Sequence, residues 1–143
     1  MLQRLQSIYL FLVTAFGVAM LALPFVNTEA MTTNSILKDG IFNAVDNYII
    51  FGLLAAVTFV AFVNIFLFKK RKVQIVINRI LFLLSLGALG YMGYFIATFF
   101  MANINIKWQP AIFCIVGILL FLLMATGRIK KDEKLVKSMD NLR

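Results

Sequence analysis

Four long stretches without a charged side chain constrain the fold more than any other feature of this sequence. They run Leu5–Val26, Tyr48–Phe68, Ile80–Ala102 and Ala111–Thr126. A helix needs roughly 20 apolar residues to cross a hydrocarbon core of about 30 Å. The fourth stretch is shorter, but Ile104 and Ile106 extend it before and Ile129 after. Backbone in hydrocarbon must satisfy its own hydrogen bonds, so segments of this kind form helices. A membrane β-barrel would show short segments alternating in polarity, and these do not alternate. Composition agrees: 62% of residues are hydrophobic and 14% charged, against about 45–50% and about 25% in soluble domains. The expected fold is an all-α membrane protein, a four-transmembrane-helix bundle in one domain, residues 1–143. Its helices are expected at about 5–26, 48–68, 80–102 and 111–127, followed by a short cytoplasmic C-terminal helix at about 128–143.

The net charge of +8 comes from 14 Lys and Arg against 6 Asp and Glu. A basic excess of this size suits nucleic acid, but here it gathers at the ends of the apolar stretches, and no nucleic-acid partner is expected. Arg4 precedes the first stretch. Lys69, Lys70, Arg71, Lys72 and Arg79 lie between the second and third. Arg128, Lys130, Lys131, Lys134, Lys137 and Arg143 follow the fourth. The remaining two connections hold only Lys38 and Lys107. Cytoplasmic loops carry the Lys/Arg excess, so both termini are expected in the cytoplasm. A cleavable signal peptide ending near Thr28-Glu29-Ala30 is the competing reading of the N-terminus. The first apolar run, about 22 residues, exceeds the 7–15 of a signal h-region and favours a retained helix.

The polar inventory excludes most chemistry. No stretch contains an ionisable acid, base or histidine, and the chain has no His at all. Intramembrane ionisable residues mark proton and ion pathways, so a proton-coupled transporter is not expected. Metal hydrolysis needs His or clustered carboxylates; Asp132 and Glu133 are adjacent and read as solvating the tail. Ser85 and Cys114 lack a base to activate them. Neither an enzyme, a metal nor a cofactor is expected.

What remains is packing and surface charge. Small residues let helices approach closely in lipid. Gly87, Gly90, Gly93 and Ala97 on the third helix, with Gly52 and Ala56 on the second, are expected at an internal helix contact; a partner surface is the alternative. Tyr91, Tyr94, Asn64 and Ser85 are expected to hydrogen-bond as structural glue, and Tyr48 and Trp108 to anchor at an interface. Lys69, Lys70, Arg71, Lys72, Arg128, Lys130, Lys131, Lys134 and Lys137 are candidate contacts to anionic lipid or a protein partner. Gly127 would let the chain turn as it leaves the membrane. The tail, with Leu135, Val136, Met139 and Leu142 on one face, reads either as solvated or as lying on the inner leaflet. The triplets Gln3-Arg4-Leu5 and Asn78-Arg79-Ile80 hint at a duplicated hairpin.

The opening Met1-Leu2-Gln3-Arg4-Leu5-Gln6-Ser7-Ile8-Tyr9-Leu10, the pair Asn78-Arg79 and the close from Arg128 to Arg143 resemble the membrane protein family called domain of unknown function 4293, found mainly in Bacteroidetes. The likeness covers the whole chain in layout, and its specific motifs lie at the expected cytoplasmic ends. The resemblance implies four helices and a bacterial inner membrane, and it brings no activity, substrate or cofactor. The expected function is therefore a non-enzymatic scaffold or accessory subunit, contacting membrane lipids and a protein partner or a second copy of itself. An oligomeric transporter or a lipid or quinone carrier is the alternative.

Overall fold

The computed structural model describes residues 2–28, 40–68, 70–101 and 105–140. Four helices dominate: α1 (Leu2–Ala22), α2 (Tyr48–Phe66), α3 (Arg71–Met101) and α4 (Ala111–Asp140). They run up and down, with α1 packed against α2 and α4, and α3 against the same two helices. Three are long and apolar enough to cross a membrane: α2, α3 and the Ala111–Ser138 part of α4. The apolar helix Gln6–Ala22 within α1 is shorter.

Each helix buries one seam at a spacing of three and four. On α4 the seam is Ala111, Ile115, Ile118, Leu122, Ala125, Ile129 and Asp132. On α3 it is Gln74, Asn78, Leu81, Ser85, Ala88, Met92, Ile96 and Phe99. A seven-residue repeat of this kind keeps one face of a helix on its neighbour and is the pattern of left-handed bundles. Outside the seams the surface is apolar too: Phe11, Phe59, Leu83, Leu120 and Leu123 are all exposed.

Two helices are longer than the sequence leads one to expect, for the same reason. The expected connection at residues 69–79 is mostly the first turns of α3. Its buried face there carries Gln74 and Asn78 in place of apolar residues, so hydropathy hides a helix that the seam continues. At the other end, Gly127 makes no turn. The helix runs through it to Asp140, and Ile129 extends the α4 seam past the apolar stretch, with Asp132 falling on the same face. The tail is thus a continuation of α4, not a separate helix turned onto a membrane surface.

The ends are set by local chemistry. Pro24 stops α1, since a residue before proline is pushed out of the helical region. Asn47 caps α2, its Oδ1 accepting from the amides of Ile49 at 3.0 Å and Ile50 at 3.3 Å. Immediately before it, Asn43 and Asp46 form a reciprocal capping box around a single 3-10 turn, Ala44–Asp46. The connection from α2 to α3 begins with the Leu67 amide bonded to the Asn64 carbonyl at 3.2 Å.

The end opposite the α2–α3 turn carries a small antiparallel sheet where loops are expected. Its strands are β1 (Val26–Thr28), β2 (Ile41–Phe42) and β3 (Ile106–Trp108), in the order β2-β1-β3. Val26 pairs with both Phe42 and Trp108. The sheet therefore joins the α1–α2 connection to the α3–α4 connection. Phe25 and Phe42 plug it into the bundle: the Phe42 ring lies 5.7 Å from Phe25, 5.9 Å from Phe95 and 5.7 Å from Phe99. Gly40 enters the sheet at φ 67°, where its missing Cβ leaves room for the Thr28 carbonyl.

Candidate functional site: buried amides beneath the basic end

Four buried carboxamides collect at the end where α1 begins, α2 ends and α3 begins. Gln6, Asn64, Gln74 and Asn78 are each 0–1% exposed. Gln6 Nε2 donates to Gln74 Oε1, which ties α1 to α3. Gln74 Nε2 donates to the Asn64 carbonyl at 3.1 Å, and Asn64 Nδ2 donates to Asn78 Oδ1 at 2.7 Å, tying α3 to α2. Three helices are thus joined by one chain of carboxamides. In apolar surroundings a polar group without a partner costs about 1–3 kcal/mol, so the chain fixes the register of all three helices at once. It leaves two buried atoms without a hydrogen bond, Asn64 Oδ1 and Asn78 Nδ2.

Asn64 is thus part of the glue, through Asn78 and Gln74. Ser85 turns its hydroxyl to the Leu81 carbonyl at 2.7 Å. Tyr91 and Tyr94 lie further along α3 and pack edge-on to Phe95, at 5.1 and 5.8 Å. The sequence marks Gln6 and Asn78 only as parts of motifs and does not single out Gln74, and it assigns none of the three a place in the interior. Running the α3 repeat backwards from Leu81 lands on Asn78 and then Gln74, which is the signal that would have found them.

The basic residues surround this end. Lys70, Lys72, Arg79, Lys130, Lys131, Lys134 and Lys137 are exposed, and Arg71 and Arg128 are half-buried. Lys69, Lys38 and Arg143 lie outside the described residues. Asp132 does not solvate the tail: it is 5% exposed on the α4 seam, and neither carboxylate oxygen has a hydrogen-bond partner. Leu135 and Val136 are exposed, with Lys134 and Lys137 beside them.

A half-open cleft of about 330 Å³ lies between α3 and α4 next to the amide chain. Phe82, Leu83, Leu122 and Leu123 form its apolar walls. Asn78, Arg79, Thr126 and Lys130 line it as well, and no acidic side chain does.

The expected glycine contact is not made within the chain. Gly52, Gly87, Gly90 and Gly93 are exposed, and a Cβ built on any of them would meet nothing within 4 Å; Ala56 and Ala97 are also exposed. The seam of α3 runs through Leu81, Ser85, Ala88 and Met92, and the glycines fall on the other faces. Close approach occurs instead at Gly17, beneath Thr58 of α2, and at Gly117, where the Phe16 ring covers the backbone of α4 at 3.4 Å from a would-be Cβ. Phe16 in turn stacks on Phe121 at 5.6 Å.

Long apolar helices, seams packed at a seven-residue repeat and a basic end stitched by carboxamides define a helical-bundle protein of membrane type. The chain belongs to the family described as domain of unknown function (DUF4293), whose model matches residues 2–142. No curated protein and no solved structure matches it.

Proposed function

We propose that the chain is a four-span bundle of a bacterial inner membrane, both termini cytoplasmic, acting as a non-enzymatic scaffold or accessory subunit. The observation that carries this reading is the filled interior. Between the sheet and the amide chain the seams bring together Leu10, Val13, Met20, Leu54, Val57, Leu81, Ala88, Met92, Ile115, Ile118 and Leu122, all 0–1% exposed. The Thr58 and Ser85 hydroxyls at that depth are already bonded to carbonyls of their own helices, so a solute or ion crossing that layer would lose its hydration without replacement, at a cost of several kcal/mol. The part α1 takes in the core, through Leu10, Val13 and Met20, supports a retained first span. The gathering of Lys and Arg at one end supports cytoplasmic termini. The outward faces, not the interior, are then where the protein meets partners.

Chemical cross-linking in membranes, purification in mild detergent and identification of what is attached test the scaffold reading. A reproducible stoichiometric partner, or a second copy of the chain, is expected. Solute or ion flux conferred on vesicles by the purified protein would overturn it in favour of a transporter. Topology is read separately: reporter fusions after Arg143 should report cytoplasm and fusions within residues 28–46 the opposite side. An outside signal from the C-terminal fusion would overturn the orientation.

A further inference from the structure

We infer that the cleft between α3 and α4 is a headgroup site for one anionic phospholipid. The inference rests on the reading that α3 and α4 span a bilayer with their basic ends at one surface. Three residues that carry donors line the cleft. Arg79 and Lys130 stand on facing helices and are exposed. Asn78 is fully buried; its Oδ1 is engaged by Asn64, and its Nδ2 is a buried donor without a partner. The Thr126 hydroxyl is bonded to the Leu122 carbonyl at 2.8 Å and supplies no proton. Two cations at the cleft, with an unsatisfied amide buried behind them and no carboxylate among the lining residues, match a phosphate diester.

The apolar part of the cleft selects between sources of that phosphate. Ligand clefts run from about 300 to 1,000 Å³, and this one holds a headgroup phosphate with the first methylenes of its chains. Beyond its walls, exposed Leu86 on α3 and Leu120 on α4 continue along the helices. A soluble phosphate would leave those walls wet, whereas a lipid covers them with acyl chain. The arrangement also places the charge where Arg79 and Lys130 meet the interface and the chains where the helices are apolar.

Native mass spectrometry of the detergent-purified full chain, titrated with phosphatidylglycerol or phosphatidylcholine, tests the site. One phosphatidylglycerol is expected to stay bound, with phosphatidylcholine held more weakly. A basic residue beside an anionic lipid contributes about 1 kcal/mol, and about 1.4 kcal/mol is tenfold in affinity. The double variant Arg79→Gln/Lys130→Gln should therefore lose at least about tenfold in phosphatidylglycerol affinity. The control Lys134→Gln/Lys137→Gln removes the same charge beyond the cleft and should change it by less than about threefold. All four side chains are exposed, and circular dichroism checks that both variants keep their helices. Equal losses in the two variants would overturn the site and leave only diffuse surface attraction. Displacement of the lipid by millimolar glycerol phosphate would also overturn it, by assigning the cleft to a soluble anion. Retention of the chain in membranes after an alkaline wash reads the underlying membrane assignment independently of either result.

Discussion

Replacing Gly17 by alanine tests the tightest helix contact in the bundle. A Cβ at this position would run into the Thr58 hydroxyl, and Thr58 Cβ and Cγ2 lie only 3.1 and 3.2 Å away. Rotating the threonine does not relieve the clash, because its Cβ moves only with the α2 backbone. Its present rotamer is also held by a 2.7 Å bond from Oγ1 to the Leu54 carbonyl. Overpacking a filled core costs about 1–3 kcal/mol. Alanine gains up to about 1 kcal/mol over glycine in a helix interior. Gly17→Ala should therefore lower stability by up to about 2 kcal/mol, read as a shift in reversible unfolding of the detergent-purified protein by sodium dodecyl sulfate. Thr58→Ala removes Oγ1 and Cγ2 and leaves only the Cβ contact at 3.1 Å, so the double variant should be more stable than the two single losses predict. Couplings between touching residues run from about 0.5 to 3 kcal/mol, and about 1–2 kcal/mol in the favourable direction is expected. If Gly17→Ala is as stable as the parent and the cycle shows no coupling, α1 and α2 do not meet at these residues.

The same substitution has the opposite sign on α3: Gly93→Ala should be neutral or up to about 1 kcal/mol stabilising, and Gly93→Leu should leave unfolding of the monomer within about 0.5 kcal/mol. A large loss in either would place Gly93 in an internal contact after all. In the amide chain, Gln74→Leu strands Gln6 and the Asn64 carbonyl and should cost about 1–3 kcal/mol. Adding Gln6→Leu to it should recover part of that loss, and a double variant worse than the single would show that the two glutamines are not partners. The continuity of α4 is measurable with spin labels at Phe113→Cys and Ser138→Cys in a Cys114→Ser background. A straight helix separates these backbones by roughly 38 Å, at 1.5 Å per residue. A right-angle bend at Gly127 would bring them to roughly 27 Å, also at 1.5 Å per residue in each arm, and that shorter distance would refute a continuous helix.

Apolar length and the absence of charge made the four helices legible, because those properties act residue by residue. What they missed depends on which face a residue occupies. Gln74 and Asn78 looked like part of a polar connection until the seam of α3 carried them into the interior. Asp132 looked solvated for the same reason. The glycines of α3 suggested a helix contact by spacing alone, yet spacing does not say which side of a helix a neighbour takes. Gly17 and Gly117 are isolated in sequence, and only the facing Thr58 and Phe16 give them a role. Strands β1, β2 and β3 are two or three residues each, too short to show an alternation, and their partners lie far away in the chain. The charge clusters were legible, but the cleft between Arg79 and Lys130 needs two helices to exist.

The sheet and the amide chain hold the two ends of the bundle by different means. At one end, backbone pairing locks Val26 between Phe42 and Trp108, so neither inter-helix connection can shift without breaking main-chain bonds. At the other, Gln6, Asn64, Gln74 and Asn78 supply only side-chain bonds, each worth on average about 0.6 kcal/mol between helices in lipid. The bundle is a clothes-peg with a sewn hinge and lightly held jaws. At the basic end the main-chain bonds of the α2–α3 connection reach only those two helices, so α1 is tied there by the Gln6 side chain. Asn78 belongs both to the amide chain and to the cleft, so whatever fills the cleft lies one side chain away from those ties.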